Sequence, residues 1–286
     1  MMQEASKKVD ILIEALPYIK RFFGKVVVVK YGGSAVEQSE INQSILEDIT
    51  FMNHVGIHPV VVHGAGPFIS QKMRENGLEV KFIDGIRVTD RETLAIATEA
   101  LTEVNRNIVK QLKDLGNAAK GFVGRNGELI TAKKKKTKKD VGFVGKITGF
   151  DNKLIYSLLH SKIIPVVAPL GVGDDGELYN LNADTVASEI AVAMNAEKLV
   201  LLTNVMGVMA DVNNPDSLVS SIKVKDVKSL MERNVISGGM IPKVKACVDA
   251  AEAGVNKTHI IDAQIMHALL LEVYTDKGIG TEIIKR

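Results

Sequence analysis

The feature that most constrains the fold is an alternation: short apolar, β-branched runs give way again and again to segments with helical spacing, over most of 286 residues. A strand that reads as an unbroken apolar run is buried on both faces, which points to a largely parallel sheet with helices on each side. Runs at 26–29, 57–62, 163–168, 198–203 and 257–261 predict strands. Helices are expected over 38–54, 67–76, 90–115, 152–161, 184–195, 225–234, 243–254 and 265–273. In the longest of these, Leu94, Ala97, Leu101, Val104, Ile108 and Leu112 share one face. Residues 119–150 change character. Short β-type pieces, the Asn126-Gly127 turn signal and a lysine run predict antiparallel hairpins projecting from the sheet edge. No fixed-period repeat is present, which argues against a solenoid or propeller.

Composition narrows the setting. With 46% hydrophobic residues the chain can bury a sizeable core, as two lobes around one sheet or as two domains. The single Cys247, between Ala246 and Val248, excludes an internal disulfide and reads as buried packing, so a reducing, cytoplasmic setting is expected. Glu4, Asp10 and Glu14 interrupt the opening segment, unlike a secretory signal. No apolar run reaches the roughly 20 residues of a membrane span, so no membrane partner is expected. Thirty-six basic residues nearly balance 34 acidic ones, leaving +2 and no global field suited to nucleic acid. Lys133 to Lys136, Lys138 and Lys139 are the local exception. No aromatic residue is interleaved with them to stack on bases, so they read as a solvated hairpin tip.

Ligands of open parallel sheets gather where strands end, and here several of those loops are rich in glycine. Gly32-Gly33 and Gly64-Ala65-Gly66 let main-chain amides approach phosphate oxygens, although either loop alone reads equally well as a tight turn. The P-loop pattern is absent, and Phe68 and Ile69 stand where a dinucleotide fingerprint needs its third glycine. Two lysines add weight. Lys30 closes the first strand directly before its glycines, and Lys243 opens a helix directly after Gly238-Gly239-Met240-Ile241-Pro242. Phosphoryl transfer concentrates negative charge between donor and acceptor, where fixed cations and amides lower the barrier. Each lysine alone would be an ordinary solvated strand or helix end.

Taken in order, Lys30-Tyr31-Gly32-Gly33-Ser34, Val62-His63-Gly64-Ala65-Gly66-Pro67, Asn180-Leu181-Asn182-Ala183-Asp184 and Gly238-Gly239-Met240-Ile241-Pro242-Lys243 resemble the motifs of the amino acid kinase family across essentially the whole chain. Asp84-Gly85-Ile86-Arg87-Val88-Thr89-Asp90 is similar to the substrate segment of its acetylglutamate kinases. The resemblance implies an α/β three-layer αβα sandwich with a central, mostly parallel sheet, two lobes and a β-hairpin region. The implied division is a kinked helix over 1–23, a substrate lobe over 24–195 and an ATP-binding lobe over 196–286. The implied reaction uses ATP with Mg²⁺ to phosphorylate the γ-carboxylate of N-acetyl-L-glutamate in arginine biosynthesis. Other acceptors (an N-blocked aminoadipate, aspartate, carbamate or UMP) stay open, as does a non-catalytic ATP or arginine sensor on the same fold.

By the same resemblance, Lys30 and Lys243 stabilise the transferred phosphoryl group and Asp184 orients them. On residue type alone Asp184 would be a helix cap. Arg87 and Asn180 hold the substrate, with the amides of the Gly64, Ala65 and Gly66 loop on its γ-carboxylate. Gly32, Gly33, Thr203, Asn204, Val205, Gly207, Gly238, Gly239 and Met240 surround the nucleotide. No dedicated protein cage for a metal is expected. Two positions depart from the family pattern: Ala65 replaces a glycine, so its amide serves only with a negative φ, and Asn204 stands where an Asp is usual.

The leading segment places Val9, Leu12, Ile13, Leu16, Ile19 and Phe23 on one helical face, with Pro17 expected to kink it. Packing on its own domain is the plainer outcome. The segment resembles the extension of arginine-sensitive acetylglutamate kinases, which implies a homodimer or hexamer and L-arginine as inhibitor, held by Tyr18, Lys198, His259, Glu272 and Gly278. A PII-type signalling protein binds some family members, but no residue pattern here points to one.

Overall fold

The computed structural model describes residues 2–32, 38–83, 85–125, 128–274 and 278–285. Gly33, Ser34, Asp84 and the Asn126-Gly127 turn, singled out above, lie outside the described residues.

In chain order, α1 (Met2–Phe22) leads to β1 (Val26–Tyr31), α2 (Ser39–His54), β2 (His58–His63) and α3 (Gly66–Glu75). The short pair β3 (Phe82–Ile83) and β4 (Ile86–Arg87) precedes α4 (Arg91–Asp114) and β5 (Ala118–Phe122). Then come β6 (Ile130–Lys134), β7 (Gly145–Phe150), α5 (Asn152–His160), β8 (Ile163–Val167), β9 (Leu170–Gly173) and β10 (Leu178–Asn180). The remainder is α6 (Ala183–Ala193), β11 (Lys198–Thr203), β12 (Ser221–Lys223), α7 (Val227–Glu232), α8 (Met240–Glu252), β13 (Lys257–Asp262), α9 (Ala268–Tyr274) and β14 (Thr281–Ile284).

Eight strands form the main sheet in the order β12-β14-β13-β11-β1-β2-β8-β5, parallel except where β14 meets β13. The period of two along β1 feeds two cores. Val27, Val29 and Tyr31 pack with Ile45 and Ile49 of α2 and Leu101 and Ile108 of α4, while Val26 and Val28 pack with Ile155 of α5, Val186 and Ile190 of α6 and Val244 of α8. These are the three expected layers. Side-chain caps start several helices: Asp90 accepts from the Thr93 N–H at 2.8 Å and Asp151 from the Leu154 N–H at 3.0 Å.

Some expectations change. Residues 118–122 do not join the hairpins but form the parallel edge strand β5 beneath α4, where Gly121 lacks the Cβ that would strike Asn105. The hairpin β6–β7 belongs to a second sheet, ordered β10-β9-β6-β7, and Lys133 and Lys134 lie in β6 itself. The remaining lysines of the run are exposed in the β6–β7 connection. Helix α8 starts at Met240, not 243, because Pro242 falls in the first turn, where its missing N–H removes no helical bond. Helix α9 starts at 268 rather than 265, after His267 at φ 56°, with Asp48 accepting from the Leu269 N–H at 3.1 Å.

Helix α1 runs through Pro17. Much of its expected apolar face is open among the described side chains: Val9, Ile13 and Phe23 are 56%, 62% and 67% exposed, whereas Ile19 is half-buried and Phe22 is buried. Among the described residues no helix is long and apolar enough to cross a membrane.

Candidate active site

Strand β1 is where the chain reverses its direction across the sheet. β2, β8 and β5 lie to one side, β11 and β13 to the other, so a crevice opens at the carboxyl end of β1. The ends of β1 and β2 touch there. Tyr31 is in register with His63, and the Gly64 N–H donates to the Tyr31 carbonyl at 3.0 Å. A Cβ on Gly32 would lie 2.8 Å from the Gly64 nitrogen, so position 32 has no room for a side chain.

Three charged residues from distant parts of the sequence meet at this crevice. Lys30 Nζ lies 2.8 Å from Oδ1 of Asp184, and Lys243 Nζ lies 3.2 Å from its Oδ2. Asp184 is not the cap of α6. Asn182 caps it, accepting from the Thr185 N–H at 2.9 Å, which leaves the Asp184 carboxylate to the lysines. Burial drives that carboxyl toward the neutral form, but the two ammonium groups outweigh burial and hold its pKa below the usual range. Burial, followed by repulsion from Lys30, lowers Lys243, and Asp184 opposes both. One turn further along α8, Cys247 is fully buried, and burial pushes its thiol up to about 12.

On the β2 side, Ala65 adopts φ −139°, so its departure from glycine leaves the amide available, and Gly66 opens α3 with free first-turn N–H groups. Arg87 is buried at the end of β4 with its guanidinium over the Phe82 ring at 4.8 Å. It donates to the Gly66 carbonyl at 2.9 Å and to Ser70 Oγ at 2.8 Å. Asn180 Nδ2 donates to Thr89 Oγ1 at 3.2 Å, and Thr89 Oγ1 donates to the Arg87 carbonyl at 3.0 Å. The candidate substrate residues are thus brought together, and Ser70 and Thr89 join them. Thr89 lies in the 84–90 segment quoted above, whereas Ser70 carries no signal in the sequence beyond lying one helical turn from Gly66.

On the other side of β1, Thr203 ends β11, with Asn204 and Val205 exposed after it. Gly207 is buried against Thr281 rather than lining open space. Gly238, at φ 52°, and Gly239 have open surroundings before α8, and Met240 begins that helix.

A separate cavity of about 490 Å³ lies between α1 and the carboxyl-terminal elements, and Tyr18, Lys198, His259, Glu272 and Gly278 all line it. Glu272 is its hub. His259 Nδ1 donates to Oε1 at 2.7 Å, Lys198 Nζ lies 3.2 Å from the same oxygen, and the Ile279 N–H donates to Oε2 at 3.2 Å. Burial works to raise this carboxyl, but His259 and Lys198 together bring it to about 2. Burial lowers His259, and its hydrogen bond to Glu272 opposes that shift. Lys257 and Glu282 also line the cavity, paired at 2.8 Å. Strand periodicity was the signal for Lys257, two residues from His259 on β13.

A model of the amino acid kinase family matches residues 25–262. The chain belongs to the amino acid kinase family. Relatives within that family include acetylglutamate kinases: the one from Heliobacterium modesticaldum is 48% identical over 295 residues, covering 99% of this chain and 100% of that one. Crystal structures of N-acetylglutamate synthase from Neisseria gonorrhoeae are also similar. The complex with coenzyme A and N-acetyl-glutamate has a TM-score of 0.87 at 27% identity and covers 97% of this chain but 63% of the synthase. The complex with coenzyme A and L-arginine has a TM-score of 0.83 at 25% identity and covers 97% and 65%.

Proposed function

We infer that this chain is an acetylglutamate kinase. It transfers the γ-phosphoryl group of ATP to the γ-carboxylate of N-acetyl-L-glutamate, giving N-acetyl-L-glutamyl 5-phosphate and ADP in arginine biosynthesis. The observation that carries this reading is the meeting of Lys30 and Lys243 on Asp184 beside two glycine-rich strand ends, in a chain that aligns end to end with acetylglutamate kinases.

In this reading Arg87 and Asn180 take the α-carboxylate side of the acceptor, and the Ala65 and Gly66 amides take its γ-carboxylate. That group is already ionised near neutral pH, so no general base is needed. Lys30 and Lys243 face the migrating phosphoryl group from the acceptor and donor sides, and Asp184, paired with both, keeps them aimed. The residues from 203 to 207 and from 238 to 240 hold the nucleotide, within an ATP-binding lobe over 196–286. Among the described residues no group of three or more His, Cys, Asp or Glu side chains is placed to hold a metal ion. In this reading Mg²⁺ comes with the bound nucleotide, where it would neutralise phosphate charge.

The test is turnover, read as ADP release with Mg-ATP, against N-acetyl-L-glutamate, unblocked L-glutamate, N-blocked aminoadipate and aspartate, carbamate and UMP. A kcat/KM for N-acetyl-L-glutamate at least tenfold above every other acceptor is expected. Preference for another acceptor, or no turnover, refutes the assignment.

Regulation by L-arginine is part of the same reading, supported by the five candidate contacts lining one cavity and by the similarity to a synthase solved with L-arginine. The exposed apolar face of α1 is the surface on which a second copy would assemble. Activity that stays flat as L-arginine rises removes the regulatory role.

A further inference from the structure

His63 ends β2 one residue before the Gly64-Ala65-Gly66 turn, and its imidazole is fully buried. Asn105, on the buried face of α4, sits against it. Its Nδ2 lies 3.0 Å from His63 Nε2 and also 3.0 Å from the Val166 carbonyl oxygen. A carbonyl only accepts, so the Asn105 atom facing it is the NH₂ group. That same NH₂ group faces Nε2, which must then be an acceptor, and the proton of the neutral ring sits on Nδ1.

Among the described residues, buried Nδ1 has no hydrogen-bond partner. A buried donor without a partner is destabilising, and the neighbouring backbone belongs to Gly64. Burial brings the ring to about 3, while the Gly64 backbone works the other way and favours the protonated ring. A backbone group acting in that sense is a carbonyl, since an N–H would repel the added charge. Hydrogen bonds in empty sites are often loose and tighten when substrate binds. In the planar trans peptide joining Gly64 to Ala65, the carbonyl and the N–H point in opposite directions. Drawing the Gly64 carbonyl to Nδ1 turns the Ala65 N–H away from the ring.

We propose that His63, fixed by Asn105 as its Nδ1–H form, is a positioning residue that orients the Gly64–Ala65 peptide so that the Ala65 amide is presented to the acceptor carboxylate. The proposal rests on the reading of that amide as a substrate contact. It predicts an ordered response to three substitutions, because a side-chain amide on asparagine reaches the Nδ1 position and one on glutamine reaches the Nε2 position. His63→Phe and His63→Gln are expected to raise the KM for N-acetyl-L-glutamate and lower kcat, by roughly 10- to 100-fold in kcat/KM, with the KM for ATP within about threefold. His63→Asn keeps a donor beside Gly64 and recovers most of that loss. Asn105→Leu, which removes the group that selects the tautomer, matches His63→Phe, and the two losses do not add.

The second measurement is made on the unaltered protein. Long-range correlation spectra of the ¹⁵N-histidine-labelled chain, with the His63 signal assigned by its loss in His63→Asn, are expected to show a neutral Nδ1–H imidazole. Its Nδ1 proton moves downfield when N-acetyl-L-glutamate and a non-hydrolysable ATP analogue are added. An Nε2–H or charged ring overturns the proposal, as do equal losses in the Phe, Gln and Asn variants. Failure of the unaltered enzyme to use N-acetyl-L-glutamate would instead refute the assigned activity, and the tautomer would still be read from the spectra.

Discussion

Replacing Asp184 by Asn keeps the shape of the side chain and removes the one negative charge between Lys30 and Lys243. At 2.8 and 3.2 Å, and an effective dielectric of about 20, each ammonium loses about 5–6 kcal/mol of attraction, before the solvation changes that offset part of it. Breaking a buried pair by deleting one partner costs about 3–5 kcal/mol net. If that cost appears in the transition state, kcat falls by roughly 10² to nearly 10⁴. The pH dependence makes the test sharper. Burial and repulsion from Lys30 already lower Lys243, and Asp184 is the group that opposes them. Without it burial and repulsion act on Lys243 unopposed, so the basic limb of kcat/KM for ATP moves toward neutral pH. The assay is coupled ADP release from pH 6 to 10 for the unaltered and Asp184→Asn enzymes. A variant with kcat within threefold of the parent and an unshifted basic limb would refute the reasoning.

Other changes separate the parts of the site. Arg87→Lys loses the planar fork that reaches Gly66 and Ser70, and steady-state kinetics should show the KM for N-acetyl-L-glutamate rising roughly 10- to 100-fold with little change for ATP. Gly32→Ala places a Cβ 2.8 Å from the Gly64 nitrogen and must push β1 and β2 apart where they end, costing about 1–3 kcal/mol in urea unfolding along with most of the activity. The stability contributed by Glu272, whose carboxyl is brought from 4.5 to about 2, is complete above its unfolded value and is lost as pH falls from there toward its folded one. The difference in unfolding free energy between the parent and Glu272→Gln should therefore be large at pH 7 and shrink steadily below pH 4.5.

The parallel sheet was legible because its strands are unbroken β-branched runs that cannot be confused with an amphipathic face. β9, β10, β12 and β14 escaped because they span only three or four residues, and β12 is held by β14, far away in sequence. The expected start of α8 at 243 lies three residues late, because the first turn of a helix accepts Pro242. At the crevice, Lys30 and Lys243 stood out because each adjoins glycines. Nothing in the string 183–193 said that Asn182, and not Asp184, would cap α6 and so free a carboxylate for both lysines. The five residues expected to hold L-arginine were reachable through family resemblance, since they are scattered from position 18 to 278 and converge only when the two ends of the chain meet. Asn105 reads as one polar interruption on an apolar helical face, and its partners His63 and Val166 lie 42 and 61 residues away.

Cys247 is the chain's sole thiol, it is sealed inside, and it sits one turn beyond Lys243 on the same helix. A thiol reagent in solution reaches it only during excursions that lift α8 from the sheet. The rate of its modification is therefore a built-in clock for the opening of the nucleotide half, readable without adding a probe, and ligands that hold that half shut should slow it.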